Sequence, residues 1–347
     1  MARKYRVKHP YLGDAGLLRF DQFVELALYD PAAGFYSRAG GPSHRRDFLT
    51  SPGVGALFGA VLARALDTWW RDLGAPEPFH VIEAGAGDGS LAGAIRRARP
   101  ECLPALRYTA VERSDALRRR HPPGVTSLAE MPAGAHDGIV LANELLDNIP
   151  FRLLERTSAG WDEVHVDHDR REVLVSAIPG VASEADLYAP DAPPGARIPF
   201  QQQAVDWMSA AISTLSRGRA VVIDYCDTTP NLATRPWTEW VRTYRANGPG
   251  TAPLEDLGQQ DITCEVAVDQ LVEAAGAPTH NRSQAEFLRA HGIEELADRA
   301  REQWLARAHV GDFEALRHKS RLTEAAALTD SAGLGAFRVL EWIVSPP

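Results

Sequence analysis

The segment Val81–Leu91, Val-Ile-Glu-Ala-Gly-Ala-Gly-Asp-Gly-Ser-Leu, constrains this chain more than any other. An apolar run ends, glycines alternate at 85, 87 and 89, and a helix-forming stretch opens. Without Cβ atoms such a loop turns tightly and lets a ligand lie against the backbone. The helix that follows presents unpaired N–H groups. The pattern predicts a strand over 78–84 and a helix over 91–99. Further strands are predicted at 107–113, 124–128 and 137–143, with a short helix from an N-cap at Ser114. Strands alternating with helices imply parallel pairing and a doubly wound α/β sheet.

Elsewhere the periodicity predicts helices over 18–29 and 55–70, the first ended by Pro31 and Gly34. Residues 152–178 alternate apolar and polar side chains around turns at 158–160 and 167–171, which predicts antiparallel strands. The Pro/Ala/Asp/Gly-rich stretch 181–199 reads as a surface loop. A helix (201–215) and a strand (219–227) rejoin the sheet. Residues 228–262, with four prolines, read as a long loop, functional or mobile. The remainder is helical up to a last strand in 335–345. The expected organisation is an N-terminal helical cap (1–75), a Rossmann-like core (76–150, 200–227 and 335–347) and an inserted lobe (151–199 and 228–334).

Composition narrows the function. A formal charge of −9 argues against bulk nucleic acid or an anionic membrane as the main partner. No window approaches the roughly 18 apolar residues of a membrane span. The N-terminal residues lack the apolar core of a secretory signal, so a cytoplasmic location is expected. Cys102, Cys226 and Cys264 are widely spaced, and the eleven histidines show no ligand spacing, so neither a disulfide framework nor a metal site is expected.

Two ligand classes use a glycine loop of this kind. A dinucleotide site wants GxGxxG, with the pyrophosphate on the helix end. Here the spacing is GxGxG, and Ser90 stands where the third glycine would be. Glu83 precedes the loop. A carboxylate there opposes a pyrophosphate but suits the amino and sulfonium groups of S-adenosyl-L-methionine. Glu112, 23 residues after Gly89, closes the next strand, where a carboxylate can accept both ribose hydroxyls. Together these favour the methyl donor over a turn that only packs helix on strand.

In open α/β sheets ligands sit at the carboxyl ends of the strands. The strand 137–143 brings Asn143, Glu144 and Asp147 to that edge. If the segment is helical, Glu144 and Asp147 share a face. The same residues also fit a helix N-cap with acids in its first turn. Phe35, Tyr36, Trp237, Trp240 and Tyr244 either line an acceptor pocket or anchor their loops. Arg242 and Arg245 either hold an acceptor carboxylate or lie on an exposed face.

Six segments resemble, in order, the MidA-like methyltransferases, a family that includes the mitochondrial complex I assembly arginine methyltransferases. They are ALYDPAAGFYS (27–37), DFLTSPGVGALFG (47–59), VIEAGAGDGSL (81–91), LANELLDNIP (141–150), VVIDYCD (221–227) and DLGQQDITCEVAVDQL (256–271). The resemblance implies a class I methyltransferase fold with an added lobe, S-adenosyl-L-methionine as donor, and an arginine guanidinium, free or in a protein, as acceptor. It implies donor contacts at Glu83, Gly85, Gly87, Glu112 and Asn143, and a flap over the donor formed by Asp47, Thr50, Ser51 and Pro52. Glu144 and Asp147 would face the acceptor, with Asp224 nearby. The chain departs from the family pattern at Arg46 and Cys226, where glycine is usual, and at 237–250, where an arginine-bearing segment is usual. The last two departures fall on the acceptor side.

Overall fold

A computed structural model describes residues 16–37, 51–246 and 248–345. They form two compact units: residues 16–37 with 148–203 and the described part of 227–270, and residues 51–147 with 204–226 and 271–345.

The second unit is built on a seven-stranded sheet. Its strands are β1 (Phe79–Ala84), β2 (Leu106–Val111), β3 (Thr126–Leu128), β4 (His136–Asn143), β5 (Leu215–Asp224), β6 (His280–Ser283) and β7 (Arg338–Val344). The order is β6-β7-β5-β4-β1-β2-β3. The pairs from β3 to β5 are parallel, and β7 runs antiparallel to both β5 and β6. Val81 and Ile82, Ile139 and Val140, and Val221 and Val222 are all buried. Neighbouring strand residues point to opposite faces, so both faces of the sheet are covered, as a parallel sheet requires. Strand order reverses between β1 and β4. Register pairs Ala84 with both Val111 and Ala142, and Asn143 with Ile223, so the carboxyl ends of β1, β2, β4 and β5 lie in line.

Helix α1 (Ala56–Asp72) buries Leu57, Val61, Leu62 and Leu66 in the core of this unit, together with Phe287, Leu288, Leu328 and Leu334. The expected division therefore shifts. Residues 51–75 and 271–334 belong with the parallel sheet, because their apolar faces are buried there, and not with a separate cap or lobe.

The first unit is antiparallel. Strands Arg152–Thr157 and Gly160–Val166 form the expected hairpin, with Thr157 opposite Gly160. Glu172–Ser176 adds to it after the turn at 167–171. Two expected loops are structured. Within 181–199 lie most of helix Pro179–Tyr188 and part of strand Arg197–Phe200. Val181, Ala185 and Ala189, four apart, pack with Leu154, Trp161 and Phe200. Small apolar residues supply enough contact there, although the composition reads as loop. Residues 228–262 contain helices Thr229–Ala233 and Trp237–Trp240 and most of a three-stranded sheet, Val241–Arg245 between Gly248–Pro249 and Asp261–Cys264. Fully buried Trp240 anchors this segment in a core with Phe20, Phe151 and Ile262.

Candidate active site

The glycine loop leaves β1 at the point of strand-order reversal. Gly85, Gly87 and Gly89 have φ of +69°, +56° and +76°. Each lies in the left-handed region that costs an L side chain roughly 1–2 kcal/mol. The Gly89 N–H closes the loop onto the Ala86 carbonyl at 2.9 Å, and helix α2 (Ser90–Ala98) follows. A Cβ on Gly85 would stand 2.8 Å from Leu145 Cδ1, so the loop and the segment after β4 meet there.

Glu112 directly follows β2. Its Oε2 accepts the Gly87 N–H at 3.0 Å and its Oε1 the Ser114 N–H at 2.8 Å. Each oxygen keeps a lone pair for a further donor. Burial raises the Glu112 pKa, against the pull of these two N–H groups. Glu83 is buried at the end of β1, where its Oε2 accepts the Tyr108 hydroxyl at 2.8 Å. Burial pushes its pKa up to about 8, with Tyr108 opposing. No sequence motif marks Tyr108. It pairs with Val81, two residues before Glu83, and so shares the face of Glu83.

Asn143 ends β4 and donates from Nδ2 to Glu144 Oε1 at 3.0 Å. Its own Oδ1 is buried and has no partner among the described residues. Glu144 Oε1 also accepts the Ser51 N–H at 2.9 Å. The Glu144 backbone sits at φ +51°, an uncommon conformation for a side-chain-bearing residue. Burial pushes the half-buried Glu144 carboxyl up to about 8, and the Ser51 and Asn143 donors work against it. Leu146–Asn148 form a single 3-10 turn, not an α-helix. The N-cap reading of Asn143 and the shared helical face of Glu144 and Asp147 are both corrected. The positive φ of Glu144 places it outside the turn that carries the buried Asp147.

Asp224, expected on the acceptor side, is fully buried at the end of β5. Its Oδ2 accepts the N–H groups of Leu146 and Asp147, and its Oδ1 that of Tyr225. It anchors the turn after β4 rather than offering a substrate grip. Ser51 and Pro52 lie in the short helix Ser51–Val54. Asp47 and Thr50 lie outside the described residues. Phe35, Tyr36, Arg242 and Tyr244 belong to the first unit. Phe35 is buried with its ring edge-on to Tyr36, and the Tyr36 hydroxyl bonds Asn148 and Asp261. Arg242 is paired with Glu265 at 2.9 Å, and Tyr244 lies in the three-stranded sheet. Among the described residues no cluster could hold a metal, and no helix is long and apolar enough to cross a membrane.

The carboxyl ends of β1, β2 and β4 thus carry Glu83, Glu112, Glu144 and the Asn143 side-chain Oδ1, without a partner among the described residues, around bare loop backbone. That set is rich in acceptors. It fits a ligand with hydroxyls and cationic groups, as S-adenosyl-L-methionine has, and fits a pyrophosphate poorly.

Comparison with known proteins agrees. Residues 61–284 match the profile of a family described as "Putative S-adenosyl-L-methionine-dependent methyltransferase". A superfamily member from Burkholderia thailandensis, crystallised with S-adenosyl-homocysteine, superposes with a TM-score of 0.77 at 26% identity, covering 94% of this chain and 88% of that one. The Danio rerio protein named "Protein arginine methyltransferase NDUFAF7, mitochondrial" is 24% identical over 327 residues, 80% of this chain and 74% of that protein. The Drosophila melanogaster homologue of that name is 26% identical over 199 residues, 48% of this chain and 44% of that protein, so this match spans less than half of the relative. Sheet order, glycine loop and structural likeness make this the class I methyltransferase fold. The chain belongs to this family of S-adenosyl-L-methionine-dependent methyltransferases.

Proposed function

We propose that this protein transfers a methyl group from S-adenosyl-L-methionine to a guanidinium nitrogen of arginine. The relatives named as protein arginine methyltransferases support this acceptor class. The observation that carries it is Glu144, a half-buried carboxyl group at the end of β4, held by the Ser51 N–H and the Asn143 amide beside the glycine loop. Glu83, Glu112 and the Asn143 carbonyl oxygen are the groups that would hold the donor's polar atoms. When bound, the donor supplies a methyl group on a sulfonium, so the leaving sulfur departs neutral.

A guanidinium is a poor nucleophile because its lone pairs are delocalised and its pKa exceeds about 12. Carboxylates on one side of it grip two N–H groups and hold one nitrogen in line for attack. Glu144 is the acid at the end of β4 that would do so, since Asp147 is buried in the turn that follows. As the nitrogen–carbon bond forms and the carbon–sulfur bond breaks, the nitrogen loses a proton, and the Glu144 carboxylate takes it. Burial raises the Glu144 pKa, and a bound guanidinium facing it would restore the carboxylate that accepts the proton.

The test is a labelled-methyl assay against free L-arginine and arginine peptides, with mass analysis of the product. Label is expected on guanidinium nitrogen. Glu144→Gln is expected to bind S-adenosyl-homocysteine near normally while transfer falls by about two to four orders of magnitude. Label found only on an oxygen acceptor overturns the arginine reading, and wild-type transfer by Glu144→Gln removes that residue from the chemistry.

A further inference from the structure

Gln284 is fully buried at the start of helix α3 (Gln284–Ala290). Its Nε2 donates to the carbonyls of Leu334 at 2.9 Å and Leu328 at 3.4 Å. Carbonyls accept only, so the amide has one orientation, with nitrogen toward them and Oε1 turned away. That oxygen accepts the hydroxyl of Ser51, itself fully buried, at 3.0 Å. The Ser51 N–H in turn donates to Glu144 Oε1. One polar path therefore runs from the chain at 328–334, through Gln284 and Ser51, to Glu144.

The rest of this segment is fixed separately. Glu324 Oε2 accepts the Leu57 N–H at 2.9 Å, and the Glu324 carboxyl group lies so close to Gly55 that a Cβ there would fall 2.2 Å from it. Ser320 steadies the other Glu324 oxygen at 3.1 Å. Glu324 thus holds the start of α1. The Gln284 hydrogen bond acts on Ser51 itself.

We infer that Gln284 is a positioning residue for methyl transfer: it fixes Ser51 so that the Ser51 N–H stays aimed at the Glu144 carboxyl group. The catalytic consequence rests on the reading of Glu144 given above. With the Ser51 hydroxyl released, the N–H wanders, the carboxylate loses a donor, and Glu144 holds its proton to higher pH. A Gln284 that only satisfied two carbonyls would leave Glu144 unchanged.

The experiment titrates the Glu144 side-chain carboxyl by carbon-13 NMR in the full chain. It compares wild type, Gln284→Met, Ser51→Ala and the double variant, with Glu144→Gln assigning the signal. S-adenosyl-homocysteine affinity and methyl transfer to free L-arginine are measured on the same samples. The Glu144 midpoint is expected to rise by about half a pH unit or more in each single variant. The double variant is expected to move no further than the larger single, because both act on one path. In Gln284→Met transfer is expected to fall about tenfold, with ligand affinity within about twofold. If Gln284→Met does not fold, Ser51→Ala breaks the same contact, together with the Ser51 hydroxyl's own hydrogen bond to Glu144. An unmoved Glu144 midpoint in Ser51→Ala overturns the inference, even if Glu144→Gln is inactive. A shifted midpoint with wild-type transfer by Glu144→Gln upholds the path and overturns instead the catalytic role of Glu144.

Discussion

The carboxylate of Asp224 receives the amide proton of Leu146 at 3.0 Å, joining residues 78 apart in the chain. With the N–H groups of Asp147 and Tyr225 on the same carboxylate, it ties the turn after β4 to the end of β5. Asp224→Leu leaves these buried donors without an acceptor, at roughly 1–3 kcal/mol each. A stability loss of about 3 kcal/mol or more is expected in urea unfolding. Unaltered stability would mean the turn is held by something else.

Glu112 sets the glycine loop through Gly87 and keeps lone pairs for a ligand's hydroxyls. Glu112→Ala is expected to weaken S-adenosyl-homocysteine binding by about 10- to 100-fold, roughly 1.4–2.8 kcal/mol. Isothermal calorimetry reads this directly, and wild-type affinity would exclude Glu112 from the ligand's contacts.

Glu83 makes stability depend on pH in a definite direction. In the folded chain burial holds its proton up to about pH 8, whereas the unfolded chain releases it near the ordinary value of 4.5. Between those values the unfolded state binds fewer protons, so stability falls as pH rises through the window. Glu144, also pushed up to about 8, adds to the same slope. Glu83→Gln keeps an acceptor for Tyr108 and removes the buried charge. It is expected to flatten the slope and to stabilise the protein at pH 8 by at least about 1 kcal/mol. Urea midpoints at pH 5, 6.5 and 8 check it; a slope as steep as wild type would refute it.

Glu341 on β7 is fully buried between Arg219, at 2.7 Å, and Arg282, at 2.5 Å. Glu341→Ala strands the Arg282 guanidinium and leaves Arg219 only its longer pair with Asp72, at 3.3 Å, and is expected to cost about 3 kcal/mol. Thermal unfolding would show the loss. Because Arg219 and Glu341 lie within β5 and β7, away from the strand ends that carry the site, the affinity of the folded fraction for S-adenosyl-homocysteine is expected to stay at the wild-type value.

Much of the second unit is legible from local pattern. The glycine loop and β1, β2, β4 and β5 were expected where they occur, because parallel strands buried on both faces appear as short apolar runs punctuated by glycine and helix caps. The segments 181–199 and 228–262 were misread for the opposite reason. Their contacts come from Val181, Ala185, Ala189 and Trp240, whose partners lie far along the chain, and composition records none of that.

The order of residues alone determined which groups stand at strand ends: Glu83, the three glycines, Glu112, Asn143 and Glu144. Strand and loop propensities act over a few neighbours, and those neighbours are adjacent in the chain. The tertiary structure decided what each group does there. It set Tyr108 beneath Glu83, turned Asp224 onto backbone amides, put Glu144 in a left-handed conformation, and brought Gln284 to Ser51. Those outcomes depend on sheet register and on burial of polar atoms among distant partners. Such long-range pairings are settled only when the whole chain packs.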